Sequence, residues 1–168
     1  MASASAWRSS RRPCSALAQS LPAPLSVGDS VVLLKAQASG VQIYTCKAKP
    51  SDGKAAPAYE WVFKAPEANL SGDGGRIGKH YAGPTWEAAD GSKVVGALLA
   101  SVNSPGNVPW LLLAAKPTSG PGLFSKVTYV ERVFTAGGTA PKVNADAAHA
   151  GTSARVPYAA TYIFYGRP

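Results

Sequence analysis

Apolar and polar residues alternate along most of this chain, with the two-residue period of β-structure. In Val41–Lys47, Val41, Ile43 and Thr45 fall on one face, and Gln42, Tyr44 and Cys46 on the other. Tyr59, Trp61 and Phe63 share a face of the next run. Phe124–Thr135 sets Val127, Tyr129, Glu131 and Val133 against Thr128, Val130, Arg132 and Phe134. Shorter runs at Val31–Ala36, Arg76–Tyr81, Thr85–Ala88, Lys93–Ala100, Val108–Ala115 and Tyr158–Tyr165 complete a set of about eight to ten predicted strands.

Turn chemistry separates the runs. Ser39-Gly40 is expected to end the first strand, Ser51–Lys54 and Asp73–Gly75 to turn, and Pro66–Leu70 to leave the sheet. Asp90-Gly91 between two apolar runs predicts a hairpin with a type I′ turn. Gly137-Gly138 ends a strand, and 139–155 reads as a long loop with one helical turn over Ala145–Ala148. Such strands must bury one face and hide their edges. The predicted fold class is therefore all-β, a single antiparallel sandwich or barrel, with the choice between them open.

Composition narrows this picture. Hydrophobic residues make up 46% and charged residues 15%, which excludes a disordered chain. The 168 residues suffice for one domain with a real core. Residues 1–24 read as a separate basic leader before a single β domain over 25–168. The leader carries Arg8, Arg11 and Arg12, and no acid precedes Asp29. Ala16-Leu17-Ala18 has the small-x-small form of a secretory cleavage site, but the arginines interrupt the apolar stretch that should precede it. An organellar transit peptide and a signal peptide truncated by a misplaced start are the other readings. Localisation is expected to be secreted or periplasmic, with organelle targeting as the alternative. No stretch is long enough to span a membrane as a helix.

The net charge of +8 comes partly from the leader and otherwise from scattered Lys and Arg. Nucleic-acid binding calls for a clustered basic patch with a recognisable motif, and neither is present. A solvated basic surface accounts for the charge.

Several segments occur together in order. They include Gly40–Cys46, Tyr59–Phe63 with Pro66-Glu67-Ala68, His80–Ala88 with Asp90-Gly91-Ser92, Pro109–Leu113, Val127–Val130 with Arg132, Thr135–Gly138, and Val156-Pro157-Tyr158. Over about residues 25–165 the chain resembles the family known as domain of unknown function 3455. The resemblance implies a mainly bacterial and fungal family that typically carries a secretory signal, and it implies no activity. A malate dehydrogenase label borne by some fungal relatives does not fit these residues. Gly72-x-Gly74 continues to Ile77 where a dinucleotide fingerprint needs its third glycine, and no βαβ unit surrounds it. Family members often have a cysteine at the position of Ala145, which the resemblance pairs with the counterpart of Cys46. Cys46 therefore lacks a partner within the domain and is expected to be a buried thiol.

Candidate chemistry is sparse. His80, Glu87 and Asp90 lie near one another around Trp86, an acid/base pair with an aromatic platform that would suit a carbohydrate site. The plainer reading makes Asp90 a turn residue, Glu87 a strand-face residue and His80 a strand end. Two distant histidines, His80 and His149, make a poor zinc set, and no Gly-x-Ser-x-Gly occurs. Arg132, if inward, should need a carboxylate, for which Glu60 and Glu87 are the candidates. The aromatics are expected to fill the core or line a pocket. These features predict a non-catalytic binding protein for a small ligand, glycan or envelope partner, with no cofactor, metal or nucleic acid. His80, Tyr81, Trp86, Glu87 and Arg132 are the candidate ligand-binding residues. The alternatives are a hydrolase or lyase using His80 with Glu87 or Asp90, and a structural subunit of an envelope assembly. Oligomeric state is open.

Overall fold

The computed structural model describes residues 21–168 apart from positions 52, 54 and 55. Most of the predicted leader, and part of the turn expected over 51–54, lie outside the described residues. Eight strands follow in order: β1 Val31–Ala48, β2 Tyr59–Gly72, β3 Gly75–Tyr81, β4 Thr85–Ala88, β5 Lys93–Val102, β6 Trp110–Ala115, β7 Tyr129–Gly137 and β8 Ser153–Gly166. Each pairs antiparallel with the next, and β8 returns to β1, so the sheet closes into a barrel. Closure gives every strand a partner on both sides over part of its length, while Tyr59–Glu67 of β2 extends beyond the reach of β3. Among the described residues no helix is long and apolar enough to cross a membrane.

The long strand β1 makes closure possible. It pairs with β8 over Val31–Thr45 and with β2 over Gln37–Ala48. It also corrects the expectation that Ser39-Gly40 ends a strand, because β1 runs straight through them. Gly40 is there for close approach: a Cβ would collide with the Glu67 carbonyl and Ala68 on β2. Pro66–Leu70 likewise stays in the sheet, inside β2. Pro66 faces Gln42 of β1, whereas pairing with β3 begins only at Ala68. The missing N–H of Pro66 thus falls where the strand has no second partner.

Two other expectations change. The Asp90-Gly91 hairpin joins β4 and β5 as predicted, but not through a type I′ turn. Gly91, with φ 83°, is the only residue of the pair with positive φ. Gly91 N–H donates to the Ala88 carbonyl at 3.0 Å, and Ala88 N–H donates to the Ser92 carbonyl at 2.9 Å. This is a three-residue loop closed by a glycine bulge. The strand expected from Phe124 begins instead at Tyr129. Residues Phe124 and Val127 turn inward as a plug, 0% and 5% exposed.

The plug divides the interior. At its end Ala36, Leu70, Ala88, Val94, Val130 and Phe164 pack with Phe124 and Val127 into a continuous apolar core. The loop carrying the plug is tied to the hairpin. Asp90 Oδ2 accepts from Leu123 N–H at 2.8 Å, and Ser92 Oγ accepts from Phe124 N–H at 3.1 Å. A second, smaller core lies on the outer face of β6–β8. Leu25, in a 3₁₀ turn over Ala23–Leu25, joins Leu112, Val133, Ile163 and Tyr165 there, with Leu21 and Val27 against them. Glu131 is fully buried in that region, and its Oε2 accepts from the Tyr165 hydroxyl at 2.7 Å. Burial pushes the Glu131 carboxyl above its usual range.

Candidate functional site

The other end of the barrel is hollow. A cavity of about 620 Å³ opens there, within the range of small-molecule pockets. Strand alternation supplies its walls: His80 from β3, Trp86 from β4, Leu111 from β6, Arg132 from β7 and Tyr162 from β8 all point inward. Trp86 and Tyr162 belong also to the packed core and form the floor, their rings 5.4 Å apart and edge-on. Phe63 and Leu98, 51% and 61% exposed, form an apolar rim.

His80 is 3% exposed and lies flat against Trp86, with ring centroids 4.5 Å apart and planes at 11°. Its Nδ1 is 2.9 Å from the Thr85 carbonyl. A carbonyl only accepts, so Nδ1 carries the proton and Nε2 is left as an acceptor. Burial lowers the imidazole pKa to about 4, with a smaller push in the same direction from Arg132. The ring is therefore neutral at pH 7.

Arg132 is 9% exposed. Its Nε and Nη2 both donate to the Pro109 carbonyl, at 3.0 and 2.9 Å. The register of β7 against β8 shifts just after Val133. Phe134 takes φ 50° there, and the Thr135 hydroxyl donates to the Val108 carbonyl at 2.6 Å. The expected ion pair of Arg132 with Glu60 or Glu87 does not form: Glu60 is exposed, and Glu87 is bound to lysines outside the barrel. The Arg132 charge acts on Tyr44, Tyr158 and Tyr162. Burial raises all three phenols, more than Arg132 lowers them, so they remain protonated. Tyr44 donates to the Gly138 carbonyl at 2.6 Å. Gln42, 1% exposed, lines the same space, and neither its Nε2 nor the Trp86 Nε1 has a hydrogen-bond partner.

The structure thus brings together three of the five candidate residues, His80, Trp86 and Arg132. Tyr81 and Glu87 alternate to the outer face. There the Tyr81 hydroxyl donates to Glu87 Oε2 at 2.7 Å, with Lys79 and Lys93 at 3.5 and 3.4 Å from the carboxylate. The Tyr81 bond, followed by the lysines, holds Glu87 below the usual carboxylate range. Asp90 is occupied by the hairpin and plug loop. His80 therefore meets neither acid, and among the described residues no carboxylate lines the cavity. Among the described residues no group of three or more His, Cys, Asp or Glu side chains is placed to hold a metal. Cys46 is a buried free thiol, 3.7 Å from the Asp146 carbonyl. Gln42, Tyr44 and Tyr162 were not singled out from the sequence as site residues. The usable signal was a glutamine on the same face of β1 as Tyr44 and Cys46, a polar residue among inward positions.

The chain matches the family described as protein of unknown function DUF3455 over residues 27–166. No curated protein and no solved structure matches it. The match spans most of the chain, and the protein belongs to that family.

Proposed function

We propose that this member of the DUF3455 family is a non-catalytic binding protein that takes a small molecule into the hollow end of its barrel. One observation carries the reading: a cavity of about 620 Å³, walled by apolar and aromatic side chains, sits where the same strands could have packed a core. Gln42 and Trp86, both lining residues, each have a buried side-chain nitrogen with no hydrogen-bond partner among the described residues. A bound molecule that displaces water from the apolar walls would gain free energy by burying them.

A small ligand is favoured over a glycan by the state of the Trp86 ring. Sugar recognition uses an open aromatic face, and His80 already covers one face of Trp86. A hydrolase or lyase built on His80 would need a carboxylate within hydrogen-bond reach. An extracytoplasmic setting, with the leader as an export signal, belongs to the same proposal and rests on the leader's composition and the family resemblance.

The test is binding of a neutral apolar fluorophore, phenylnaphthylamine, to the purified protein. Saturable fluorescence enhancement, abolished by Ser101→Trp at the cavity lining, is the expected result. Absence of enhancement, or enhancement unaffected by that substitution, sinks the reading. Native mass spectrometry of the same sample should show a co-purifying small molecule where one is retained.

A further inference from the structure

We propose that the natural ligand of this cavity is an apolar or aromatic monocarboxylate whose carboxylate is received by Arg132. The inference rests on the cavity being a ligand site, as argued above, and names the ligand's chemistry. Arg132 lines the cavity, is nine-tenths buried, and donates to a neutral acceptor, the Pro109 carbonyl. A carbonyl satisfies two N–H groups without neutralising the charge. Among the described residues no carboxylate lines the cavity to do so. Glu131, the neighbour in sequence, points through the opposite face of β7 to Tyr165. Glu87 is held outside the barrel by Tyr81 and two lysines. A buried cation without a counter-charge is among the costlier arrangements a protein can hold. The missing negative charge is one that a ligand can bring.

The neighbouring polar groups fit the same head group. The unpaired side-chain nitrogens of the lining residues Gln42 and Trp86, buried beside the cavity, are donors. The Tyr44 proton is already given to the Gly138 carbonyl, whereas the neutral Tyr162 hydroxyl, 3.4 Å from that of Tyr158, belongs to a lining residue and can donate. An ionised carboxylate, which only accepts, matches this set, and its hydrogen bonds to a guanidinium are the strong, charge-assisted kind. The rest of the lining limits the ligand to one such group. Phe63, Trp86, Leu98, Leu111 and Leu113 offer apolar surface and no second buried cation. Lys64 stands at the exposed rim, where water already solvates it. The ligand's body is therefore apolar, and the exposed Phe63 and Leu98 give it a path in.

The experiment displaces phenylnaphthylamine with naphthaleneacetate and with its uncharged amide, naphthaleneacetamide, at pH 7. The acid should compete about tenfold to a hundredfold better than the amide, the range a charge-assisted hydrogen bond supplies. Arg132→Met should erase that preference while the neutral fluorophore still binds. Equal competition by acid and amide on the unmodified protein overturns the carboxylate assignment and leaves the cavity reading intact. Failure of the fluorophore to bind overturns both. If Arg132→Met does not fold, the acid-to-amide ratio on the unmodified protein decides the matter by itself. Weak displacement by acetate alone, against strong displacement by naphthaleneacetate, confirms that the apolar body contributes.

Discussion

The two ends of the barrel are built by the same strands and the same alternation, yet one is filled and the other is not. At the filled end Leu70, Val94, Val130 and Phe164 meet the Phe124–Val127 plug in an apolar core, with the buried Ser92 hydroxyl spent on the plug backbone. At the hollow end the inward positions of β1, β3 and β7 carry Gln42, His80 and Arg132. Two residues along β7 separate Val130, 0% exposed in the core, from Arg132 in the cavity wall. On the proposed function, the difference divides stability from recognition. A small barrel can hold its fold with half its interior, provided the other half is closed by a well-anchored plug. It can then place costly polar groups where a ligand can reach them.

That division is open to attack from the filled side first. Phe124→Ala removes a fully buried ring stacked at 4.7 Å on Phe164. It should cost about 3–5 kcal/mol in urea denaturation, the range for large-to-small changes in packed cores. A loss below about 1 kcal/mol would mean the plug contributes little and the two ends are energetically alike.

The next effect lies on the boundary and depends on pH. His80 is neutral in the folded protein, with its pKa lowered to about 4 from the ordinary 6.5. Between those values the unfolded chain binds a proton that the folded protein refuses. Its contribution is therefore complete above about pH 6.5 and is lost as pH falls towards 4, by up to about 3 kcal/mol. Glu131 acts in the opposite sense. Its raised pKa gives a contribution that is complete at low pH and lost as pH rises above the carboxylate's ordinary value. Denaturation midpoints of the unmodified protein and of His80→Phe, followed from pH 7 to pH 4, separate the two. The unmodified protein should lose more stability over that interval than the variant. Parallel curves would contradict the assignment of a buried, neutral imidazole.

These contrasts were only partly readable from the sequence. Period-two alternation announced the strands, and glycine and aspartate at Asp90-Gly91 announced the hairpin, because both are local signals. Closure into a barrel was not announced, since it depends on β1 pairing on both sides over its length. Gly40 and Pro66 were misread as breaks for the same reason. Their roles are set by strands distant in sequence: Gly40 by the approach of β2, Pro66 by where β3 stops. The candidate site was legible in His80, Trp86 and Arg132. It was blurred by Tyr81 and Glu87, which adjoin His80 and Trp86 in the chain but project outward. Alternation alone would have separated His80 and Trp86 from their outward neighbours. It could not have shown that Gln42 shares their cavity, because β1 reaches it only through closure.

Arg132→Met sharpens the comparison from the hollow side. Removing a lone buried cation relieves its desolvation, while the Pro109 carbonyl loses two donors. The two effects oppose each other, and the net change in stability should stay within about 1 kcal/mol. A loss of the size expected for Phe124→Ala would instead identify Arg132 as a brace for the loop around Pro109. The same chemical denaturation series, read beside the acid-to-amide preference, distinguishes a recognition residue from a structural one.

The smallest stability effect is expected where the change in binding is complete. Ser101 lines the cavity on β5 opposite Leu111 and is exposed. Its side chain makes no hydrogen bond among the described residues, so Ser101→Trp strands no partner. Exposed substitutions of this kind shift stability by about 0.5 kcal/mol or less. A tryptophan there occupies cavity space shared with Leu98 and Leu111, so phenylnaphthylamine binding should vanish while the urea midpoint barely moves. If the midpoint fell as far as in Phe124→Ala, the hollow end would be part of the folding core after all. Nearly unchanged stability with binding lost would show that the barrel's fold and its cavity can be altered independently.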